Sequence, residues 1–357
     1  MFDKLQHALE TENFVALHDY MAWCNAHYYS HRPAIGAAGD FITAPEISQL
    51  FGELLGIWVI SRWNEMGQPK YFNLIELGPG RGTLMADMLR LLRQIPDVYN
   101  AVEIHLYENS SAMRAEQKSA LADHNKTIHW HDDLHKIPTA PFIVIANEFF
   151  DALPIQQFVY SIGGWLEVGV QMRDGKLVYA TREITDAQQL KNVPQIEIPP
   201  VPGNTMENCP SMENYLDFFL RRMQEQPGSA LFIDYGYNAT TYGDTFQAVA
   251  HHAFADPLEN PGAQDLTAHV NFGMIKEFAQ QQHLHCAGPI GQGEFLQNMG
   301  IQIRAEKLLA QVSDPQEKFE ITSGVHRLTA ADEMGNLFKV ICLSAPTLLP
   351  PEGFHAS

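Results

Sequence analysis

The 357-residue sequence predicts an α/β protein: a mainly parallel sheet covered by helices. Three observations carry that prediction. Short apolar runs alternate with amphipathic segments along most of the chain. A glycine-rich turn joins the first apolar run to the helix behind it. The alternation breaks only in two places, once for hairpin-like sequence and once for a helical stretch.

In chain order, residues 1–30 read as helical and "SHRPAIGAAGDF" as a loop. "TAPE" then offers a hydroxyl at Thr43, a proline in the first turn and Glu46 three residues after the hydroxyl. That is a capping box, and the helix it opens is expected to run to about Gly67. Its run "LFGELLGIWVI" (Leu50–Ile60) is too short to span a membrane and carries Glu53, so it reads as a buried helix.

"YFNLIEL" (71–77) is the first strand, and a helix follows from about Thr83. "VEIHLY" (102–107), "TIHWH" (127–131) and "FIVIAN" (142–147) are the next three strands, with "SSAMRAEQKSALAD" a helix between the first two of them. Right-handed βαβ units explain this rhythm. Gly163-Gly164 and Asp174-Gly175 then sit between β-rich runs and predict antiparallel hairpins. "VPQIEIPPVPGNTMENCP" reads as a covering loop and "SMENYLDFFLRRMQEQ" as a helix. "ALFIDY" (230–235), "HLHCAGPI" and "LFKVICLS" (337–344) supply strands five to seven. The organisation expected is an N-terminal helical segment (1–67), the first half of the core (68–149) and an inserted hairpin and helix region (150–229). The second half of the core (230–346) then carries a helical insertion at about 295–328, and residues 347–357 form a loose tail.

Hydrophobic residues make up 45% and charged residues 18% of the chain, enough for a substantial core. The net charge of −19, with no basic patch, argues against nucleic acid or an anionic membrane as partner. A basic partner such as an arginine-bearing protein would be attracted, although plain solubility accounts for the charge as well. Cys24, Cys209, Cys286 and Cys342 are scattered, with no CxxC pair. Free thiols in a reducing compartment are the simple reading. "MFDKLQHALE" has neither signal-peptide nor transit-peptide character, so a bacterial-like cytoplasmic location is expected. The many histidines lack a zincin spacing such as HExxH, and no metal is expected.

The turn in "LIELGPGRGTLMADMLR" spaces its glycines G-x-G-x-G at Gly78, Gly80 and Gly82. The dinucleotide fingerprint has G-x-G-x-x-G, and the matching last position here is Thr83. Glu76, two residues before the first glycine, would repel a pyrophosphate and attract a cation. S-adenosylmethionine has an ammonium, a sulfonium and no phosphate, and its carboxylate can use amide groups at the helix N-terminus. Glu108 ends the second strand, where an acid can accept both ribose hydroxyls of either cofactor. Asp133 is placed to reach an adenine amino group, or else to cap a turn. Arg81 reads as a surface or packing arginine within reach of the cofactor carboxylate.

Seven stretches carry a resemblance: "GDFITAPEISQLFGELLGIW" (39–58), "IELGPGRGTLMADMLR" (75–90), "NEFFDALPIQQF" (147–158), "LFIDYGY" (231–237), "DLTAHVNF" (265–272), "QGEFLQNMGI" (292–301) and "MGNLFKVICL" (334–343). In them the sequence resembles the MidA family of S-adenosylmethionine-dependent methyltransferases, whose mitochondrial member is the complex I assembly-factor arginine methyltransferase. The resemblance implies a class I methyltransferase fold, a seven-stranded sheet with its last strand antiparallel. It implies S-adenosyl-L-methionine as cofactor and, through the mitochondrial member, a protein substrate presenting an arginine. It also implies that the block around Gly39, Asp40 and Thr43 is a lid over the cofactor.

Ligands of open α/β sheets bind at the carboxyl ends of the strands. "NEFFDALP" follows strand four, and Asn147 and Phe150 resemble the N-x-x-F form of amino methyltransferases. The prolines of that form are missing, and Glu148 and Asp151 stand there instead. A guanidinium is charged at ordinary pH, and two carboxylates can clamp its planar fork and orient one nitrogen. Glu148 and Asp151, with Asn147, are therefore the expected catalytic residues, against a structural reading in which Asp151 caps a turn. Asp265, Thr267 and His269 are candidate pocket residues, with His269 better read as structural. Three functions remain open from sequence: a protein arginine methyltransferase, a methyltransferase acting on a small amine, and a non-catalytic cofactor-binding assembly factor. An NAD(P)-dependent oxidoreductase is the weakest alternative.

Overall fold

The computed structural model describes residues 2–31, 43–250 and 253–354. The chain forms two compact units. One comprises residues 42–149, 217–238 and 271–357; the other comprises 1–41, 150–216 and 239–270.

The first unit holds seven principal strands: β1 (Phe72–Leu77), β2 (Val102–Tyr107), β3 (Ile128–His131), β4 (Phe142–Asn147), β5 (Gly228–Tyr237), β6 (His285–Gly291) and β7 (Phe338–Ser344). Their order across the sheet is β6-β7-β5-β4-β1-β2-β3. β7 runs antiparallel to both its neighbours, and the β5-β4-β1-β2-β3 pairings are all parallel. This is the class I methyltransferase sheet. β1 and β4 are buried along their whole length, which is why they read as unbroken apolar runs rather than alternating ones. The reversal of strand order falls between β1 and β4, the topological switch point at which open sheets bind ligands.

The helix expected over 43–67 is two helices, α1 (Ala44–Ile47) and α2 (Gln49–Glu65). Ser48 between them is extended at φ −157°, and its hydroxyl accepts from the Leu50 amide at 3.3 Å. Thr43 makes no side-chain cap bond, so the capping box does not close. α2 packs tightly on α3 (Thr83–Leu92): a Cβ on Gly52 would lie 2.4 Å from the Asp87 Cβ. Glu53 is buried and paired with Arg304 at 2.7 Å and Arg90 at 3.6 Å. A lone charge there would be costly; two guanidinium partners offset the desolvation.

Between β6 and β7 lie the helices Gln292–Asn298, Ile301–Leu309, Pro315–Thr329 and Met334–Leu337. The tail corrects an expectation outright. Leu348 is buried, Phe354 packs 5.3 Å from Phe295, Asn298 donates to the Gly353 carbonyl, and Arg62 donates to the Leu349 carbonyl. Proline-rich, polar composition suggests a loose end, but two apolar side chains and a fully buried arginine are enough to dock it.

The second unit contains the helices Phe2–Glu12 and Leu17–His31 and two antiparallel sheets. The Asp174-Gly175 turn forms the predicted hairpin, with Arg173 opposite Lys176 and both turn residues at positive φ (51° and 77°), as a two-residue type I′ connection requires. Ser161 opposite Gly164 closes the other hairpin, so its turn is Ile162-Gly163 rather than Gly163-Gly164. Residues 239–270 leave the core as well. Their strands Gln247–Ala250, Ala253–Ala255 and Asp265–Thr267 form a three-stranded sheet that the sequence reading assigned to the core half. Residues 1–31 likewise belong to this second unit and not with the helix after Thr43.

Candidate functional site

The carboxyl ends of β1, β2 and β3 converge through backbone bonds. The Gly78 amide donates to the Tyr107 carbonyl at 3.1 Å, and the Glu108 amide to the His131 carbonyl at 3.0 Å. Gly78, Gly80 and Gly82 all have left-handed φ, at 62°, 52° and 88°. A side chain would be strained at each. At Gly78 there is also no room, because a Cβ would meet the Phe149 ring at 2.7 Å. The turn thus brings backbone, not side chains, to the start of α3, where the first amide groups have no intrahelical partner.

Glu76 lies at the end of β1, 3% exposed, and its Oε2 has no hydrogen-bond partner among the described residues. Burial alone pushes its carboxyl up to about 8. An orphaned carboxyl in this position fits a bound cation and would disfavour a phosphate. Glu108 is tied down: Oε1 accepts from the Ser110 amide at 2.7 Å, and Oε2 from Gln117 Nε2 at 3.1 Å. Burial raises its pKa, opposed chiefly by these hydrogen bonds. The donor set therefore fits S-adenosylmethionine: Glu76 would suit its ammonium and Glu108 its ribose hydroxyls. Asp133 Oδ1 accepts from the His135 amide at 2.9 Å and so caps the single turn Leu134–Lys136. Arg81 is half-exposed and bridges Glu116 at 3.2 Å and Glu46 at 3.8 Å.

The segment after β4 begins with strain. Glu148 has φ 51°, a left-handed conformation uncommon for a residue with a long side chain. Its amide donates to the Ile233 carbonyl at 2.9 Å. Its Oε1 accepts from the Ala44 amide at 3.2 Å and from Asn147 Nδ2 at 3.0 Å. A carboxylate is favoured at a helix N-terminus, so Glu148 takes the capping place of the Thr43 hydroxyl. Glu46 is diverted as well, accepting from the Thr83 hydroxyl at 2.5 Å. Asn147 Oδ1 is buried with no hydrogen-bond partner among the described residues. Asp234 in β5, absent from the sequence-based candidates, accepts from the Phe149 amide at 3.2 Å and the Tyr235 amide at 2.9 Å. An acid inside the apolar run "ALFIDY" was the available signal.

Asp151 belongs to the second unit. It is buried, its carbonyl accepts from the Ala268 amide at 3.0 Å, and it shares a neighbourhood with Tyr29 and Asp265. The Tyr29 hydroxyl donates to Asp265 at 2.8 Å. Burial, then Asp265, then Asp151 push the Tyr29 phenol well above its ordinary range. Thr267 is buried in the same unit, and the His269 amide donates to the Thr245 hydroxyl. Gly39 and Asp40 lie outside the described residues. Among the described residues no group of three or more His, Cys, Asp or Glu side chains is placed to hold a metal ion. No described helix is long and apolar enough to cross a membrane.

Residues 54–290 match a family described as "S-adenosyl-L-methionine-dependent methyltransferase". A protein of Drosophila melanogaster, "Protein arginine methyltransferase NDUFAF7 homolog, mitochondrial", is 36% identical over 89% of this chain and 78% of its own length. The Homo sapiens "Protein arginine methyltransferase NDUFAF7, mitochondrial" is 34% identical over 88% and 76%. Among solved structures, a Burkholderia thailandensis protein bound to S-adenosyl-homocysteine superposes with TM-score 0.80 at 26% identity, covering 98% of this chain and 92% of its own.

Proposed function

The chain belongs to the MidA family of S-adenosyl-L-methionine-dependent methyltransferases, and from that premise we propose that its methyl acceptor is a guanidino nitrogen of arginine in a protein substrate. The observation that carries this reading is the unpartnered, buried Oδ1 of Asn147 beside the Glu148 carboxylate, at the carboxyl end of β4. Guanidinium offers N–H donors in a rigid plane and no acceptor, which suits a wall made of oxygen atoms.

When bound, S-adenosylmethionine supplies an electrophilic methyl group on its sulfonium. This chain's residues do the rest. Glu76 would hold positive charge at the end of β1, Glu108 would take the ribose hydroxyls, and the glycine turn would admit the carboxylate to the α3 amides. Glu148 and Asn147 accept from the guanidinium, fix its plane and draw charge away from the nitrogen that attacks. Orientation of this kind replaces an entropic cost otherwise met in the transition state. Residues 239–270 contain Asp244, Asp256, Glu259 and Asp265 and no lysine or arginine, an acidity that suits a cationic chain segment. The names of the relatives support a protein acceptor and mitochondria for those proteins.

Incubation with methyl-labelled S-adenosylmethionine and a cell extract, followed by mass spectrometry, tests the proposal. Label on ω-nitrogens of protein arginine is expected. Label confined to lysine, to other residues or to the small-molecule fraction would overturn it.

A further inference from the structure

Gln117 sits on α4 (Ser111–Ala120), the helix between β2 and β3. A glutamine on an amphipathic helix reads as surface, but this one is 0% exposed. All of its amide groups are engaged. Nε2 donates to the Gly80 carbonyl at 2.7 Å and to Glu108 Oε2 at 3.1 Å, and Oε1 accepts from the Trp130 indole at 2.9 Å. Because the indole can only donate, it fixes which end of the amide faces the site. Backbone packing reinforces the contact, since a Cβ on Gly82 would lie 3.4 Å from the Gln117 Cα. The neighbouring Glu116 holds Arg81 of the same turn, and Arg114 donates to the Glu108 carbonyl at 2.8 Å.

We propose that Gln117 is a positioning residue for cofactor binding, one amide that sets both the glycine turn and the ribose-facing carboxylate. Its hold on the turn works through the peptide plane. In a trans peptide the carbonyl and the following N–H point in opposite directions. Anchoring the Gly80 carbonyl on Gln117 therefore aims the Arg81 amide away from α4. Its hold on Glu108 supplies a donor that favours the ionised carboxylate and fixes its rotation, leaving it preorganised to accept from a ribose diol. The amide itself touches no cofactor atom in this scheme. Its energy is felt as cofactor affinity because two recognition elements would otherwise have to be ordered by the ligand.

The test is calorimetric titration of S-adenosylhomocysteine into the full chain, with melting temperature measured alongside. Gln117→Leu is expected to weaken binding about tenfold or more, since a hydrogen bond to a charged group and one to a part-buried backbone carbonyl are both lost. Glu108→Gln is expected to weaken binding too, and the double variant by at least threefold less than the product of the two, because one acts through the other. Gln117→Glu serves if the leucine variant does not fold. It keeps the shape and the indole's acceptor but sets a second carboxylate against Glu108. Its affinity should fall by at least as much with Glu108 present, and by less when Glu108→Gln is also made, the remaining loss coming from the Gly80 carbonyl. A merely structural glutamine would lower the melting temperature and leave these affinity ratios alone. Unchanged affinity in either single variant at Gln117, or losses that multiply with Glu108→Gln, would overturn the proposal.

Discussion

Cofactor binding should release a proton, and Glu76 should be its source. The free protein buries this carboxyl with one oxygen unpartnered and its pKa near 8. At pH 7 or below it is therefore mostly protonated. An ammonium brought against it favours the carboxylate, returning the group toward its ordinary 4.5. Between those values, apparent affinity should rise by up to ~tenfold per pH unit, each unit being about 1.4 kcal/mol, and flatten near the free-state value, giving ~50-fold from pH 6 to pH 8. Titrating S-adenosylhomocysteine at pH 6, 7 and 8, in buffers of different ionisation enthalpy, measures both quantities. Close to one proton released at pH 6 is expected, with affinity increasing toward pH 8. Glu76→Gln should abolish the release and flatten the pH dependence. Wild-type affinity that is level from pH 6 to 8 with no buffer effect would refute the reasoning, as would a Gln variant that still releases the proton. The same group makes the free protein less stable as pH rises from 4.5 through about 8, because only the unfolded chain has then ionised.

Other consequences can be measured directly. Gly78→Ala meets the Phe149 ring and a left-handed φ, so it should cost about 1–3 kcal/mol of stability and weaken S-adenosylhomocysteine binding at least tenfold; wild-type affinity would clear the turn of its role. Glu148→Gln preserves an acceptor for the Ala44 amide but removes the charge, so methyl transfer should fall ~100-fold or more with cofactor affinity within about threefold of wild type. Loss of both would move Glu148 into the cofactor pocket. His105 is held neutral, its pKa pushed down to about 3 by burial and then by His131, His129 and Arg222, while its ring bonds Asn73 at 3.1 Å and His131 at 2.9 Å. Its contribution to stability is complete above pH 6.5 and drains away toward pH 3, so melting temperature should drop on acidification, and less steeply in His105→Met. Deleting residues 347–357 strips the Leu349 carbonyl from buried Arg62 and bares Phe295; a melting temperature lowered by at least about 4 °C is expected, and an unchanged one would mean the tail is only resting there.

Legibility followed the range of the forces involved. Strands buried on both faces announce themselves as apolar runs, and Asp174-Gly175 announces its own backbone angles, so the sheet and that hairpin could be read locally. The glycine turn was legible for the same reason: Glu76 and three glycines lie within seven residues. What escaped depends on partners far away in the chain. Ser48 breaks a helix whose capping box does not close: Glu46 reaches Thr83, and the α1 amide finds Glu148 from 104 positions on. Gln117 looks like surface until Gly80, 37 residues earlier, comes to meet it. Strands of three and four residues in 239–270 pair with one another and carry no period long enough to detect. Asp133 has a local explanation as a cap, and its proposed contact with adenine rests on position alone.

The second unit is made of three separated pieces of chain, at 1–41, 150–216 and 239–270, so the polypeptide passes between the two units five times. Such a protein cannot be cut into two independently expressed halves at any one bond, and the second unit cannot be exchanged as a cassette as a tandem domain could. Two of the pieces begin directly after the carboxyl ends of β4 and β5, the end at which open sheets bind ligands. A lineage that remodels the second unit must therefore do so by substitution within a shared chain, or by replacing several loops at once. Recombination at a single crossover is closed to it.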